Sequence, residues 1–405
     1  MKIAAIETIQ FGEFPNTLHV QLHTDDGVVG VGETRNGAAC VAAWIHESAA
    51  PYLLGEDPLA IEKHWRNLNP RLGFNSSGAE CRGRSAVDIA LWDIFGQVSG
   101  QPLYQLLGGK VRERVRLYNT CAGPAYTRKV GRGGRILTDN WNVAQGADAG
   151  LYEDLDGFLH RPAELARSLL DQGITLMKIW PFDPFAEASD GHHISAPDLE
   201  RGQEPFRKIR EAVGDAMEIM VELHSLWDLP NAIKIASALE KYRPYWYEDP
   251  VRMDDIGALA EFSSRFRIPT AAGETLGTRW SFRELLERRA IGILLFDPCY
   301  AGGISECRKI AAMAESYQVP VALHDCVGPV NFVVNTHLSV HFPNAFIQEF
   351  ARSFYYGWYG NLVTALPGVA GGFVSPLNGP GLGVRLRPEV FERPDLTRRI
   401  SRHGN

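Results

Sequence analysis

Apolar positions along this chain follow two rhythms. Residues 1–33 alternate apolar and polar side chains. "MKIAAIETIQF" predicts a strand, and "TLHVQLHTDDGVVGVGE" alternates on both sides of "TDDG", which predicts a hairpin. "SAVDIALWDIFGQVSG" (85–100) switches to helical spacing. Ser85, three residues before Asp88, predicts a capping-box-like start, and Gly100 followed by Pro102 predicts the stop. Residues 1–113 therefore read as a small α+β domain.

From residue 114 onward, short apolar runs alternate with amphipathic helices. The runs are "VRLYNTC" (115–121), "ITLMKIW" (174–180), "MEIMVELH" (217–224), "YRPYWYED" (242–249), "IPTAAGE" (268–274), "IGILLFD" (291–297), "VPVALHD" (319–325) and "NAFIQEF" (344–350). Repeated strand–helix alternation implies a parallel sheet, and eight strands predict a (β/α)8 barrel over 114–352. The Gly/Pro-rich text after it predicts a C-terminal segment, 353–405, that returns to the first domain. Residues 124–160 read as a polar insertion, either a lid that contacts substrate or a solvated loop.

Composition narrows the class. The chain has 405 residues, 45% hydrophobic and 22% charged, with a net charge of −7. That size accommodates two domains, and the acidic balance argues against a nucleic-acid partner. Six cysteines without a C-x-x-C pair predict packed, reduced thiols, as in a cytoplasmic protein. Glu7 interrupts the N-terminal apolar run, so no signal peptide is expected, and no run approaches the ~18 apolar residues of a membrane span.

The chemistry sits where the runs end. Lys178, Glu222, Glu248, Glu274, Asp297, His324 and Glu349 each close one run, and from Glu222 onward they recur every 23 to 27 residues. In a barrel, these strand ends converge on one mouth. Glu222, Glu248 and Glu274 offer hard oxygen ligands without a thiol, a set that suits one Mg2+. His324 beside Asp297 forms a general-base pair. Lys178 and Glu349 complete the ring, as partners of a substrate carboxylate or its enolic form. His224, two residues beyond Glu222, is expected on the same strand face. "HLSVH" lacks the Glu of a zinc-protease helix, so His337 and His341 read as packing or surface residues.

These motifs, "VELH", "YEDP", "GET", "FDPCYAGGIS", "ALHD" and "QEF", together with "SAVDIALWDIFG", "LLGG" and "GPGLGV", resemble the enolase superfamily in its mandelate racemase subgroup. The resemblance implies a modified barrel under an α+β capping domain, Mg2+-assisted removal of the proton α to a carboxylate, and a homo-oligomer acting on a small acid. Two positions depart from the subgroup pattern. Trp180 stands where racemases carry a second Lys, so a Lys/His two-base racemase is not expected, and Trp180 reads as a packing residue or, because it shares a face with Lys178, as a substrate-binding pocket wall. Glu222 stands where Asp is more usual. Acid-sugar dehydratases of the galactonate and gluconate type carry a His at the position of His224, which implies an acid for a leaving hydroxyl and a 2-keto-3-deoxy acid as product. The alternatives are a cycloisomerase or epimerase on the same base, and a catalytically silent binding protein.

Overall fold

The computed structural model describes residues 1–69, 77–126, 128, 138–143 and 152–403. The N-terminal strands β1 (Ile3–Phe11), β2 (Thr17–Thr24) and β3 (Val29–Arg35) form an antiparallel sheet. The chain's last strand, Leu396–Arg402, pairs with β1, so the tail does return to the capping domain. A helix over Ala79–Ser99 lies across this sheet. The approach is close because β3 carries glycines there: a Cβ at Gly32 would stand 1.9 Å from the Ala86 carbonyl oxygen, and one at Gly30 would stand 2.1 Å from that of Ala90.

Ser85 does not start this helix. It lies within it, past an N-cap at Gly78. Its hydroxyl donates to the Cys81 carbonyl at 2.8 Å and accepts from Gly302 N–H at 3.0 Å. A serine that can satisfy itself on the preceding turn needs no helix end, which is why the capping pattern misled.

Eight parallel strands follow among the described residues: β4 (Val115–Thr120), β5 (Leu176–Ile179), β6 (Glu218–Glu222), β7 (Tyr247–Glu248), β8 (Thr270–Ala272), β9 (Ile293–Phe296), β10 (Val321–Leu323) and β11 (Ala345–Phe350). They pair in chain order, and β11 pairs back onto β4. The ring is the predicted barrel. A hairpin, β12 (Gly368–Ala370) and β13 (Phe373–Ser375), pairs antiparallel with the start of β4 at Val115 and Arg116.

The barrel interior is a separate apolar cluster that includes Tyr118, Leu176, Met220, Trp246, Leu295, Ala322 and Ile347. A strand's period of two places Thr120, Lys178, Glu222, Glu248, Asp297, His324 and Glu349 one step above these residues. A packed apolar floor thus carries a polar ring at the C-terminal mouth.

Part of the expected insertion lies outside the described residues. What is described of it is not plain loop: it ends in a helix, Asp154–His160. Asp154 is buried in a bidentate pair with Arg352, both N–O distances being 2.7 Å. The aromatic run 354–360 packs between domains, with Trp358 stacked on Phe14 of the capping domain at 4.3 Å. No described helix is long and apolar enough to cross a membrane.

Candidate active site

Three carboxylates form the centre of the mouth. One oxygen each from Glu222, Glu248 and Glu274 lies within 4.8 Å of the others. Glu222 and Glu248 are fully buried. Glu248 is fixed from below, where the Trp246 indole N–H donates to its Oε2 at 2.8 Å. Burial, then repulsion from Glu222, raise the Glu248 carboxyl well above the usual range, while Lys178 opposes them. Glu274 Oε2 is buried and accepts no hydrogen bond. Crowded buried carboxylates with an unsatisfied oxygen are a donor set that fits a hard dication.

Lys178 lies on one side of this cluster. Its Nζ is 3.1 Å from Glu222, 2.5 Å from Glu248 and 2.9 Å from Glu349. Burial works against its charge, but the carboxylates win and raise its pKa well above normal. Glu349 also accepts from the Thr120 hydroxyl and from Asp325 N–H, the latter at 2.7 Å. Lys178 and His324 outweigh the opposing effect of burial and hold the Glu349 carboxyl below its ordinary value. Asp325 itself faces Tyr359, whose hydroxyl is 3.2 Å from its carboxylate, so it does not compete with Asp297 for His324.

His324 carries the predicted pairing. Its Nδ1 is 2.7 Å from Asp297 Oδ2, which fixes that nitrogen as the donor and leaves Nε2 toward the cluster, 3.5 Å from Glu274. Burial is the largest influence and lowers its pKa, yet Glu274, Glu349 and Asp297 together raise it to about 10. Asp297 is held in turn by Cys299 N–H at 2.7 Å.

His224 reaches the site by a different route from the one its spacing suggests. β6 ends at Glu222, and His224 has a left-handed backbone with φ of +50°. The strand-alternation argument therefore does not apply. The turn instead lets His224 N–H donate to Glu222 Oε1 at 2.7 Å and brings Nδ1 to 2.7 Å from Asp183 Oδ2. Burial again acts downward, but Asp183 and Glu222 raise the imidazole to about 9. Ser225, Asp249 and Cys326 share the left-handed conformation around the mouth, the kind of strain that collects at functional sites. Trp180 is 1% exposed and meets the His224 ring edge-on at 5.6 Å, so it backs the imidazole.

Asp183, Asp249, Asn331 and Glu33 were not picked out by spacing. Asp249 is buried, raised by burial and by the charges of Glu274 and Glu222. From the capping domain, Arg82 places its guanidinium over the Tyr300 ring at 5.1 Å, and that ring is 6.1 Å from His324. His337 and His341 are packing residues: His337 is buried against Tyr104, and His341 Nδ1 meets the Gly109 carbonyl at 2.8 Å.

Residues 5–108 match the family model for the mandelate racemase / muconate lactonizing enzyme N-terminal domain, and residues 161–390 match the enolase C-terminal domain-like model. The chain is 32% identical to a D-galactonate dehydratase of Ralstonia nicotianae, over 100% of this chain and 98% of that one. A crystal structure of an enolase of the mandelate racemase subgroup from Agrobacterium tumefaciens is 46% identical, with a TM-score of 0.87 over 100% of this chain and 99% of its own. An enolase protein from the Sargasso Sea environmental genome is 40% identical, with a TM-score of 0.87 over 100% of both chains.

Proposed function

Because the chain belongs to the mandelate racemase/muconate lactonizing enzyme family of the enolase superfamily, we propose that it is an Mg2+-dependent acid-sugar dehydratase. The observation that carries this reading is a pair of imidazoles, each held at Nδ1 by a buried carboxylate, on opposite sides of one carboxylate cluster. β6 and β10 lie four strands apart in an eight-strand ring, so His224 and His324 approach the centre from opposite walls. The naming of similar proteins as D-galactonate dehydratases supports the same chemistry.

Glu222, Glu248 and Glu274 would hold the cation, which when bound neutralises negative charge on a bidentate acid substrate. A cation on the three glutamates would offset carboxylate charge that raises His324, and Nε2 of the neutral ring takes the C2 proton, its tautomer and orientation fixed by Asp297. Lys178, kept charged by its carboxylate partners, faces the negative charge that develops at the carboxylate end. Glu349 acts as an acceptor that orders Lys178. His224, protonated through Asp183, delivers a proton from the other face to the departing 3-hydroxyl, which leaves as water. The enol then ketonises to a 2-keto-3-deoxy acid.

Two opposed imidazoles also suit proton transfer across one carbon, which is the epimerase reading. A panel of aldonates and aldarates with Mg2+, scored for 2-keto acid with semicarbazide, separates the two. Dehydration yields a new keto acid, whereas epimerisation yields none. Calorimetric titration of Mg2+ against wild type and Glu248→Gln tests the cation site without turnover, with binding expected only in wild type.

A further inference from the structure

The helix Pro329–His341 begins at Gly328, which has no side chain with which to cap it. The first N–H groups of a helix have no partner within it and must find one elsewhere. Here the partner comes from the other domain. Glu33 on β3 is fully buried, and its Oε2 accepts Asn331 N–H at 2.8 Å. A carboxylate also suits the positive end of the helix. The glycine makes room for it: a Cβ at Gly328 would lie 2.5 to 2.7 Å from the Glu33 carboxylate atoms. The backbone does not require glycine there, because φ is 174° and extended. The other carboxylate oxygen lies 2.9 Å from Nε2 of buried His19 on β2.

Asn331 then touches both members of the base pair. Its Nδ2 donates to Asp297 Oδ2 at 3.2 Å, the oxygen that also meets His324 Nδ1, and to the His324 carbonyl at 3.3 Å. Its Oδ1 accepts from the Cys299 thiol at 3.3 Å. Asn331 is fully buried, so water does not substitute for these bonds. We propose that Glu33 of the capping sheet is a positioning residue for the His324–Asp297 pair, acting through Asn331 as a cap supplied across the domain boundary. The inference rests on the reading of His324 as the base. Its consequence is that docking of the capping sheet and aim of the imidazole are one event.

Glu33→Ala should lower kcat on the order of 10²-fold with little change in KM, as expected when a reacting group is misplaced. Adding Gly328→Asp should restore most of kcat, because the vacated space admits a local carboxylate cap, whereas Gly328→Asp alone should be damaging. Asn331→Ala leaves Glu33 in place and removes only the side-chain link, and it should lose kcat similarly. The Nδ1–H resonance of His324 in 15N-histidine-labelled protein, assigned by its loss in His324→Asn, reads the same link without substrate. It should weaken in Glu33→Ala and return in the double variant. Failure of wild type to turn over any acid sugar overturns the function and leaves the resonance to decide this link. An unchanged resonance and unchanged kcat in Glu33→Ala and Asn331→Ala, or an effect confined to KM, would overturn the proposal.

Discussion

Trp246 joins the apolar floor of the barrel to the polar ring above it. Its indole packs edge-on against Tyr118 at 5.2 Å and donates to Glu248 at 2.8 Å. Trp246→Phe keeps most of the packing and removes the donor. Mg2+ affinity should fall by about 10- to 100-fold, the usual effect of losing a partner of a metal ligand, with the fold retained. Calorimetric titration checks this, and an unchanged affinity would mean that Glu248 needs no orienting group. The ring of charged residues was legible in the chain because each member lies within two residues of the C-terminal end of one strand, and strand ends must converge. Asp297 was legible as the partner of His324 because the two close neighbouring strands. Asp183 and Asn331 were not, since Asp183 begins a helix 41 residues before the imidazole it holds, and Asn331 sits inside a helix. No periodicity marks such residues.

At the level of elements, the glycine-rich strand β3 is a contact surface. Gly32→Ala would drive a methyl into the Ala86 carbonyl. Backbone cannot move aside as a flexible side chain can, so the cost should exceed the ~1–3 kcal/mol of ordinary overpacking. Thermal melting should show a large drop in Tm or failure to fold, and a melt like that of wild type would contradict the helix placement. The Arg352–Asp154 pair is a second structural device. It ties the helix at Asp154 to the segment after β11, and both side chains are 2% exposed. Arg352→Met leaves a buried carboxylate without its counter-charge, which should cost about 3–5 kcal/mol in urea denaturation. The polar text of 124–160 suggested either a lid that contacts substrate or a solvated loop, not a buried ion pair. The burial of Asp154 depends on a residue nearly 200 positions away, which no local pattern encodes.

The two domains meet along helix Pro329–His341, where His337 is fully buried, stacked on Tyr104 and bonded through Nε2–H to the Leu382 carbonyl at 3.2 Å. Burial, the dominant influence, pushes this imidazole down to about 4, although the carbonyl acts the other way. The folded state therefore prefers the neutral ring. Its stabilising effect is complete above the ordinary value of 6.5 and is lost as the pH falls from there through about 4. The shift corresponds to roughly 3 kcal/mol. Urea midpoints should fall more steeply between pH 7 and 4.5 in wild type than in His337→Gln, and equal slopes would show that the ring is not buried in its neutral form. At this scale the sequence disclosed the order of strands, the closure of the barrel and the returning tail, because period and spacing are set by geometry. It did not disclose how the capping sheet grips the barrel, because Gly328 and Glu33 become partners only after folding.

In the proposed mechanism His324 removes the C2 proton and His224 releases the hydroxyl. The most direct test is to incubate His224→Asn with an acid sugar that wild type dehydrates, in heavy water with Mg2+, and to follow C2 by proton NMR. The C2 proton should be replaced by deuterium while no 2-keto acid forms, and His324→Asn should do neither. Keto-acid formation by His224→Asn at the wild-type rate, or absence of exchange at C2, would contradict this mechanism.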